Sequence, residues 1–351
     1  MRVCNAANWM GRLLPFLAPL ICVAAAAAVN DHRVVIYYQT TMLNTTESSH
    51  VSLLPLINNG SISVTHVLVA AVHIVDEDNG IRLNDYVPED PIFDRVWSDT
   101  ASLQAAGVTV MAMAGGAAAG SWSRLDGSDT QFEQYYGPLH DFIGTYNLQG
   151  LDLDVEQSMS LAGVVRLIDR LKADFGDDFI ITLAPVASAL TEGGGNLSGF
   201  DYFDLEAQRG DQIAFYNAQF YYGWGSASSA ADYESIIDDG FPAEKVVMGL
   251  LTNPDNGEGF VDLDSQAPVL EELVSEYADF GGVAAWEYFN SLPGGLDAPW
   301  EWAAWMADHL TAAAAQEKRE LSSSEALWRA MRKAGRKVRR DAKRVYRDYL
   351  A

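Results

Sequence analysis

The sequence predicts a (β/α)8 TIM barrel, a single α/β domain followed by a C-terminal helical tail. Three observations predict it. Short apolar runs recur eight times between residues 33 and 289. Amphipathic segments of helical spacing lie between many of them. The alternation fills residues 31–312, close to the roughly 250 residues that such a barrel needs with some insertions.

The strands are expected in order at 33–39, 65–74, 107–114, 149–156, 179–184, 214–222, 245–251 and 281–289. Most are rich in Val, Ile, Leu, Tyr and Phe and are bounded by Gly, Asn or Asp. Helices are expected at 99–107, 132–147, 161–176, 267–282 and 298–310. The segment 161–176 shows the design: Val164, Val165, Leu167, Ile168, Leu171 and Phe175 share one side, with Arg166, Arg170 and Lys172 on the other. Strands joined by helices pair in parallel, because a parallel neighbour needs a crossover. An open doubly wound sheet usually opens with Gly-x-Gly-x-x-Gly after its first strand. Here that strand runs into "YYQTTMLNTT", without a glycine.

The two ends read differently from the barrel. Arg2 and Arg12 precede "LLPFLAPLICVAAAAAV", the order of a secretory signal peptide, expected over 1–28 with cleavage near Ala28. A membrane anchor is the alternative, but Pro15 and Pro19 interrupt the run and it falls short of the roughly 20 residues of a span. An extracellular protein is therefore expected. Both cysteines, Cys4 and Cys22, lie inside the leader, so the mature domain, 29–315, must rely on its core rather than on disulfides. Asn44, Asn59 and Asn196 begin Asn-x-Ser/Thr triplets, which suit a glycoprotein. The tail, 316–351, contains "ALWRAMRKAGRKVRRDAKRVYRDYL" after a capping-box pattern at 322–325. Leu327, Met331, Ala334, Val338, Ala342, Val345 and Tyr349 fall at steps of four and three, a basic amphipathic helix. It suits either the acidic barrel or an anionic surface.

Net charge narrows the partners. Residues 1–316 carry −32 and residues 317–351 carry +7. An acidic body excludes nonspecific nucleic-acid binding and leaves neutral polymers open. His66 and His73 stand seven apart with no metal-ligand cluster around them, and "GGAAAG" at 115–120 lacks the Lys-Ser/Thr of a phosphate loop. No metal or cofactor is expected, and the protein is expected to be a monomer.

The chemistry concentrates in "GLDLDVEQ", residues 150–157. Asp152, Asp154 and Glu156 share one face of a strand, and Leu151, Leu153 and Val155 share the other. Alone, this pattern also fits a half-exposed antiparallel strand. As the fourth strand of a barrel, it turns its apolar face to the helices and its carboxylates into the lumen. Glu156 then stands at the C-terminal end, where barrel active sites lie. Crowded, partly buried carboxylates cannot all ionise, so one keeps a proton and the group suits general acid chemistry. A clear second carboxylate on another strand, which ordinary retaining glycosidases need about 5 Å away, is missing.

These residues resemble glycoside hydrolase family 18, the chitinases and endo-β-N-acetylglucosaminidases, whose signature is Asp-Gly-x-Asp-x-Asp-x-Glu. The resemblance covers most of the chain and is similar above all to secreted fungal chitinase-like enzymes. "VMAMAGG" occupies the place of the family's Ser-x-Gly-Gly, "NAQFYYGWG" resembles its Gln-Phe-Tyr and "GGVAAWEYF" its Gly-Gly-x-x-x-Trp. The resemblance implies a substrate that supplies its own nucleophile, the N-acetyl carbonyl, through an oxazolinium ion. It implies Glu156 as acid and then base, Asp154 as the group orienting the acetamide, and Asp152 sharing a proton with Asp154. Tyr221 would bond the acetamide carbonyl and Trp286 would lie beneath the sugar. Asn217, Gln219 and Tyr221 share a face of their strand, with Gln219 expected at the substrate. Trp122 and Trp224, in loops on the same face, and Tyr37, ending the first strand, are expected to meet sugar; His73 is expected to be structural. Two positions depart from the pattern. Gln149 replaces its first Asp, and Met113 stands at its Ser, removing a lumen hydrogen bond to Asp152. The implied substrate is β-1,4-linked N-acetylglucosamine, as chitin or its oligosaccharides. The alternatives are the chitobiose core of N-glycans and a carbohydrate-binding protein without turnover.

Overall fold

The structure, a computed structural model, describes residues 32–320 except 45–48, 61, 78 and 79, and seven further residues of the tail. The expected signal peptide and the capping box lie outside the described residues.

Among the described residues nine strands form one sheet: β1 (Arg33–Tyr38), β2 (His66–Ile74), β3 (Ile81–Leu83), β4 (Thr109–Gly115), β5 (Gly150–Asp154), β6 (Ile180–Leu183), β7 (Phe215–Gln219), β8 (Val246–Leu251) and β9 (Gly282–Trp286). From β4 onward each strand pairs in parallel with the next, and β1 pairs with both β2 and β9. That double pairing closes the ring, with β2 joined directly to β4. Eight strands make the barrel, as the alternation of runs and helices predicts. β3 stands outside it, antiparallel to the end of β2. Three residues are too few to show a period, so this strand was not legible in the sequence.

The strands are buried on both faces, which is why they read as nearly continuous apolar runs. Val34, Ile36 and Tyr38 of β1 face the helical layer, whereas Val35 and Tyr37 join the lumen cluster with Leu68, Met111, Met113, Phe215 and Val247. β5 differs: its outer face carries Leu151 and Leu153, and its inner face carries two acids.

The outer layer holds α1 (Pro55–Asn58), α2 (Asp94–Ala105), α3 (Ser121–Leu125), α4 (Asp129–Thr145), α5 (Leu161–Phe175), α6 (Tyr202–Arg209), α7 (Ala231–Asp239), α8 (Leu263–Glu276) and α9 (Trp300–Glu320). α5 starts where Ser160 accepts a hydrogen bond from Gly163 N, and it buries Val164, Leu167, Ile168 and Leu171. α8 starts four residues before its expected position at 267, because Asp262 caps it by accepting from Ser265 N at 3.0 Å. An apolar pattern marks where a helix begins to bury residues, whereas a cap marks where its backbone begins to turn. α6 and α7 bury two and three residues each, too short a stripe to read as helices from sequence. α9 runs past 310 through an alanine-rich stretch of high helix propensity. Trp302, Met306 and Leu310 are its buried stripe. In the tail, the described Met331, Val338 and Val345 are helical and exposed.

The closing seam depends on one glycine. Gly282 is the register partner of Arg33 and holds φ at +111°, and a Cβ there would lie 2.1 Å from Arg33 O. Gly282→Ala therefore combines strain with a backbone clash, and urea unfolding is expected to show a loss of at least about 1–3 kcal/mol.

Candidate active site

At the C-terminal ends of the barrel strands lies a cavity of about 580 Å³. Asp154, Glu156, Gln219, Tyr221, Trp224 and Trp286 line it, together with Gln39, His73 and Tyr222. The barrel thus brings together residues from β2, β5, β7 and β9 that lie far apart in sequence.

Asp152 is the deepest acid, fully buried in the lumen. Tyr37 Oη donates to its Oδ2 at 2.8 Å, and Thr182 Oγ1 and Asn217 Nδ2 donate to its Oδ1 at 2.5 and 3.1 Å. Burial pushes its pKa up to about 6, and the three donors work against that rise. Asp154 is also buried, at the floor of the cavity, but is held less well as an anion. Burial, then the charges of Glu156 and Asp152, then a hydrogen bond with Glu156 all raise its pKa well above the usual carboxylate range. Both acids are buried, and the unequal donor sets make Asp154 the acid that favours the proton.

Gln219 fixes this pair. Its Nε2 donates to Glu156 Oε1 at 3.1 Å, Asp154 Oδ1 at 3.3 Å and Ala184 O at 3.0 Å. Tyr221 is nearly buried. Desolvation first, then the charges of Asp154 and Glu156, push its hydroxyl pKa far up, so it stays a donor. Trp286 forms a wall of the cavity, with the Tyr37 ring edge-on 5.6 Å away. Glu287 beside it accepts from Thr40 N at 2.7 Å and Thr40 Oγ1 at 3.0 Å, tying the end of β9 to the loop after β1 that carries Gln39.

Two expected sugar contacts are corrected. Trp122 is 0% exposed, and its Nε1 donates to Asp154 O at 2.9 Å, so it props the acidic strand from behind instead of meeting sugar. Gly115 makes room for it: φ is +102°, and a Cβ would lie 2.2 Å from Asp154 O and 2.6 Å from Trp122 Nε1. Tyr37 is 6% exposed and directs its hydroxyl to Asp152, below the cavity rather than along its wall. Trp224 does line the cavity. His73, expected to be structural, lines it as well, and its buried Nδ1 has no hydrogen-bond partner among the described residues. Sequence reasoning missed Tyr222. It lines the cavity 53% exposed at φ +55°, a conformation that non-glycine residues seldom adopt. The Tyr-Tyr doublet was its only signal.

Both departures from the signature are placed by the structure. Gln149 sits exposed before β5, with Oε1 accepting from Val110 N at 2.9 Å, at the end of the barrel away from the cavity. Met113 is the register partner of Asp152 and packs in the lumen without a hydroxyl, yet Asp152 still receives three donors. Among the described residues lining the cavity, the carboxylates are Asp154 and Glu156, neighbours on one strand end.

The sequence model described as Glycosyl hydrolases family 18 matches residues 33–260. The chain is 26% identical over 209 residues to "Chitinase 2" of Rhizopus oligosporus and 28% identical over 158 residues to "Endochitinase 4" of Metarhizium anisopliae. Those matches span 55% and 40% of this chain and only 36% and 54% of the two relatives. Two solved structures agree over more of the fold. A fungal endo-β-N-acetylglucosaminidase of glycosyl hydrolase family 18 is 48% identical with a TM-score of 0.75, covering 79% of this chain and 97% of that one. The chitinase ChiC of Aspergillus fumigatus is 51% identical with a TM-score of 0.72, covering 79% and 98%.

The acidic pair makes a stability prediction. A carboxyl whose pKa is raised by folding favours the folded state only while protonated. Its cost begins above the unfolded value, near pH 4, and grows toward the folded pKa. Asp154→Asn keeps the shape and a donor toward Glu156 without a charge. Calorimetry is expected to show it melting a few degrees above the wild type at pH 7, the gain shrinking as pH falls toward 4. Its turnover should be strongly reduced.

Proposed function

The chain belongs to the glycosyl hydrolases of family 18, and from that membership we propose that it cleaves β-1,4 bonds after N-acetylglucosamine by substrate-assisted retention. The observation that carries this reading is that Gln219 bonds both Asp154 and Glu156 in a cavity whose described lining offers no opposing carboxylate. With no carboxylate opposite Glu156 among the described lining residues, the sugar's acetamide is the group best placed to attack.

In the first step the acetamide carbonyl oxygen bonds to the anomeric carbon as the glycosidic C–O bond breaks. Glu156 passes the proton that it shares with Asp154 to the leaving oxygen, which leaves both acids ionised. Asp154 faces the acetamide N–H and balances the positive oxazolinium ring. Tyr221 donates to the acetamide region, and Trp286 supplies an apolar wall for the methyl group. In the second step water attacks the anomeric carbon from the side vacated by the leaving group. Glu156 takes the water's proton and the acetamide is restored. Configuration is retained because the anomeric carbon inverts twice.

Chitin or chito-oligosaccharides are the preferred substrate, supported by the likeness to enzymes named chitinases. The chitobiose core of N-glycans is a second reading, supported by the 48% identity to a fungal endo-β-N-acetylglucosaminidase. A binding protein without turnover fits less well, because the acids and Gln219 form a connected hydrogen-bonded set. The leader-like N-terminal sequence supports secretion.

Mass spectrometry of chito-oligosaccharides and of a high-mannose glycoprotein, each incubated with the protein, separates the readings. Shortened oligosaccharides identify a chitinase, and a glycoprotein trimmed to one N-acetylglucosamine identifies the alternative. Binding without either product would overturn the enzyme reading. Glu156→Gln is expected to lower kcat by at least about 10²-fold while sugar affinity persists.

A further inference from the structure

Asp152 could receive a lumen hydroxyl from either neighbouring strand. Its register partners are Met113 on β4 and Thr182 on β6. Met113 has no hydroxyl and packs with the lumen side chains. Thr182 is 0% exposed, and its Oγ1 lies 2.5 Å from Asp152 Oδ1, a length typical of a hydroxyl donating to a carboxylate. Asn217 Nδ2 shares that oxygen, and Tyr37 Oη takes the other.

We propose that Thr182 is a positioning residue for the reaction: its hydroxyl, reaching from β6, does the work that Met113 leaves undone on β4, anchoring Asp152 so that Asp154 keeps its proton for Glu156. The inference rests on the reading of Glu156 as acid and base. Three donors on both oxygens of Asp152 leave Asp154 to bond Glu156 instead. Without Thr182 the deeper acid is a poorer anion, competes with Asp154 for the proton and weakens the arrangement that feeds Glu156. The other titratable groups that feel the charge of Asp152 are Tyr37 from β1, Tyr221 beyond β7, Tyr202 of α6 and Asp154 of its own strand. The tyrosines keep their protons, each held by burial first, so the charge is set within the acids.

The test is Thr182→Val in the full chain. The titration midpoint of Asp152, followed by carbon-13 NMR of labelled aspartate and assigned with Asp152→Asn, is expected to rise by about one pH unit. The acid limb of kcat/KM should rise with it, and kcat should fall about tenfold with KM within about twofold. Thr182→Ser should restore both midpoint and limb. So should Met113→Ser placed in the Thr182→Val background, because it returns a hydroxyl from the opposite strand. A merely structural role would lower Tm in Thr182→Val without moving the midpoint, and that result overturns the proposal. Thr182→Ala gives the same reading if the valine variant folds poorly. The NMR midpoint does not depend on turnover, so a wild type that cleaves no glycan would sink the functional reading while the role of Thr182 is still decided.

Discussion

Two carboxylates packed in the lumen of a barrel are the constraint around which this protein is organised. A buried charge is costly, and two side by side are costlier. The barrel meets that cost unevenly. Asp152 gathers donors from β1, β6 and β7, which hold its pKa to about 6 despite complete burial. The residual rise from 3.8 corresponds to roughly 3 kcal/mol against the charged form. Asp154 is buried with a weaker donor set and two acidic neighbours, which raise its pKa well above the usual carboxylate range. This inequality gives the site a direction, from the deep acid held as an anion outward to the acid beside Glu156 that favours a proton.

The same constraint explains features that otherwise look unrelated. Gly115 lacks a side chain so that Trp122 can reach the Asp154 carbonyl, fixing the backbone of the acidic strand. Gln219 bonds both outer acids and the end of β6. Tyr37 supports the inner acid and meets Trp286 edge-on, linking the deep pair to the cavity wall. A parallel barrel suits this arrangement, because neighbouring strands present side chains to a common interior at matched register.

Legibility followed physical range. The eight barrel strands were readable because two-sided burial leaves continuous apolar runs, and α5 because its stripe repeats over four turns. α6, α7 and β3 were not, since each buries too few residues to set a period. The carboxylates were readable as a shared face from two-residue spacing. Trp122 was misread because a loop tryptophan beside an active site suits both stacking and packing, and only burial separates the two. Tyr222 was missed because its exposure depends on a backbone twist that no local pattern announces.

By itself the sequence determined the eight barrel strands and the longer helices, the acidic face of the fourth barrel strand and the resemblance those residues carry, because periodicity and spacing are properties of neighbouring residues. Only the tertiary structure decided which acid holds the proton. The donors that settle it stand 115, 30 and 65 residues from Asp152, and they meet it only once the ring has closed in register. A carboxylate's charge answers to its burial and its partners, and both are set by residues distant in the chain.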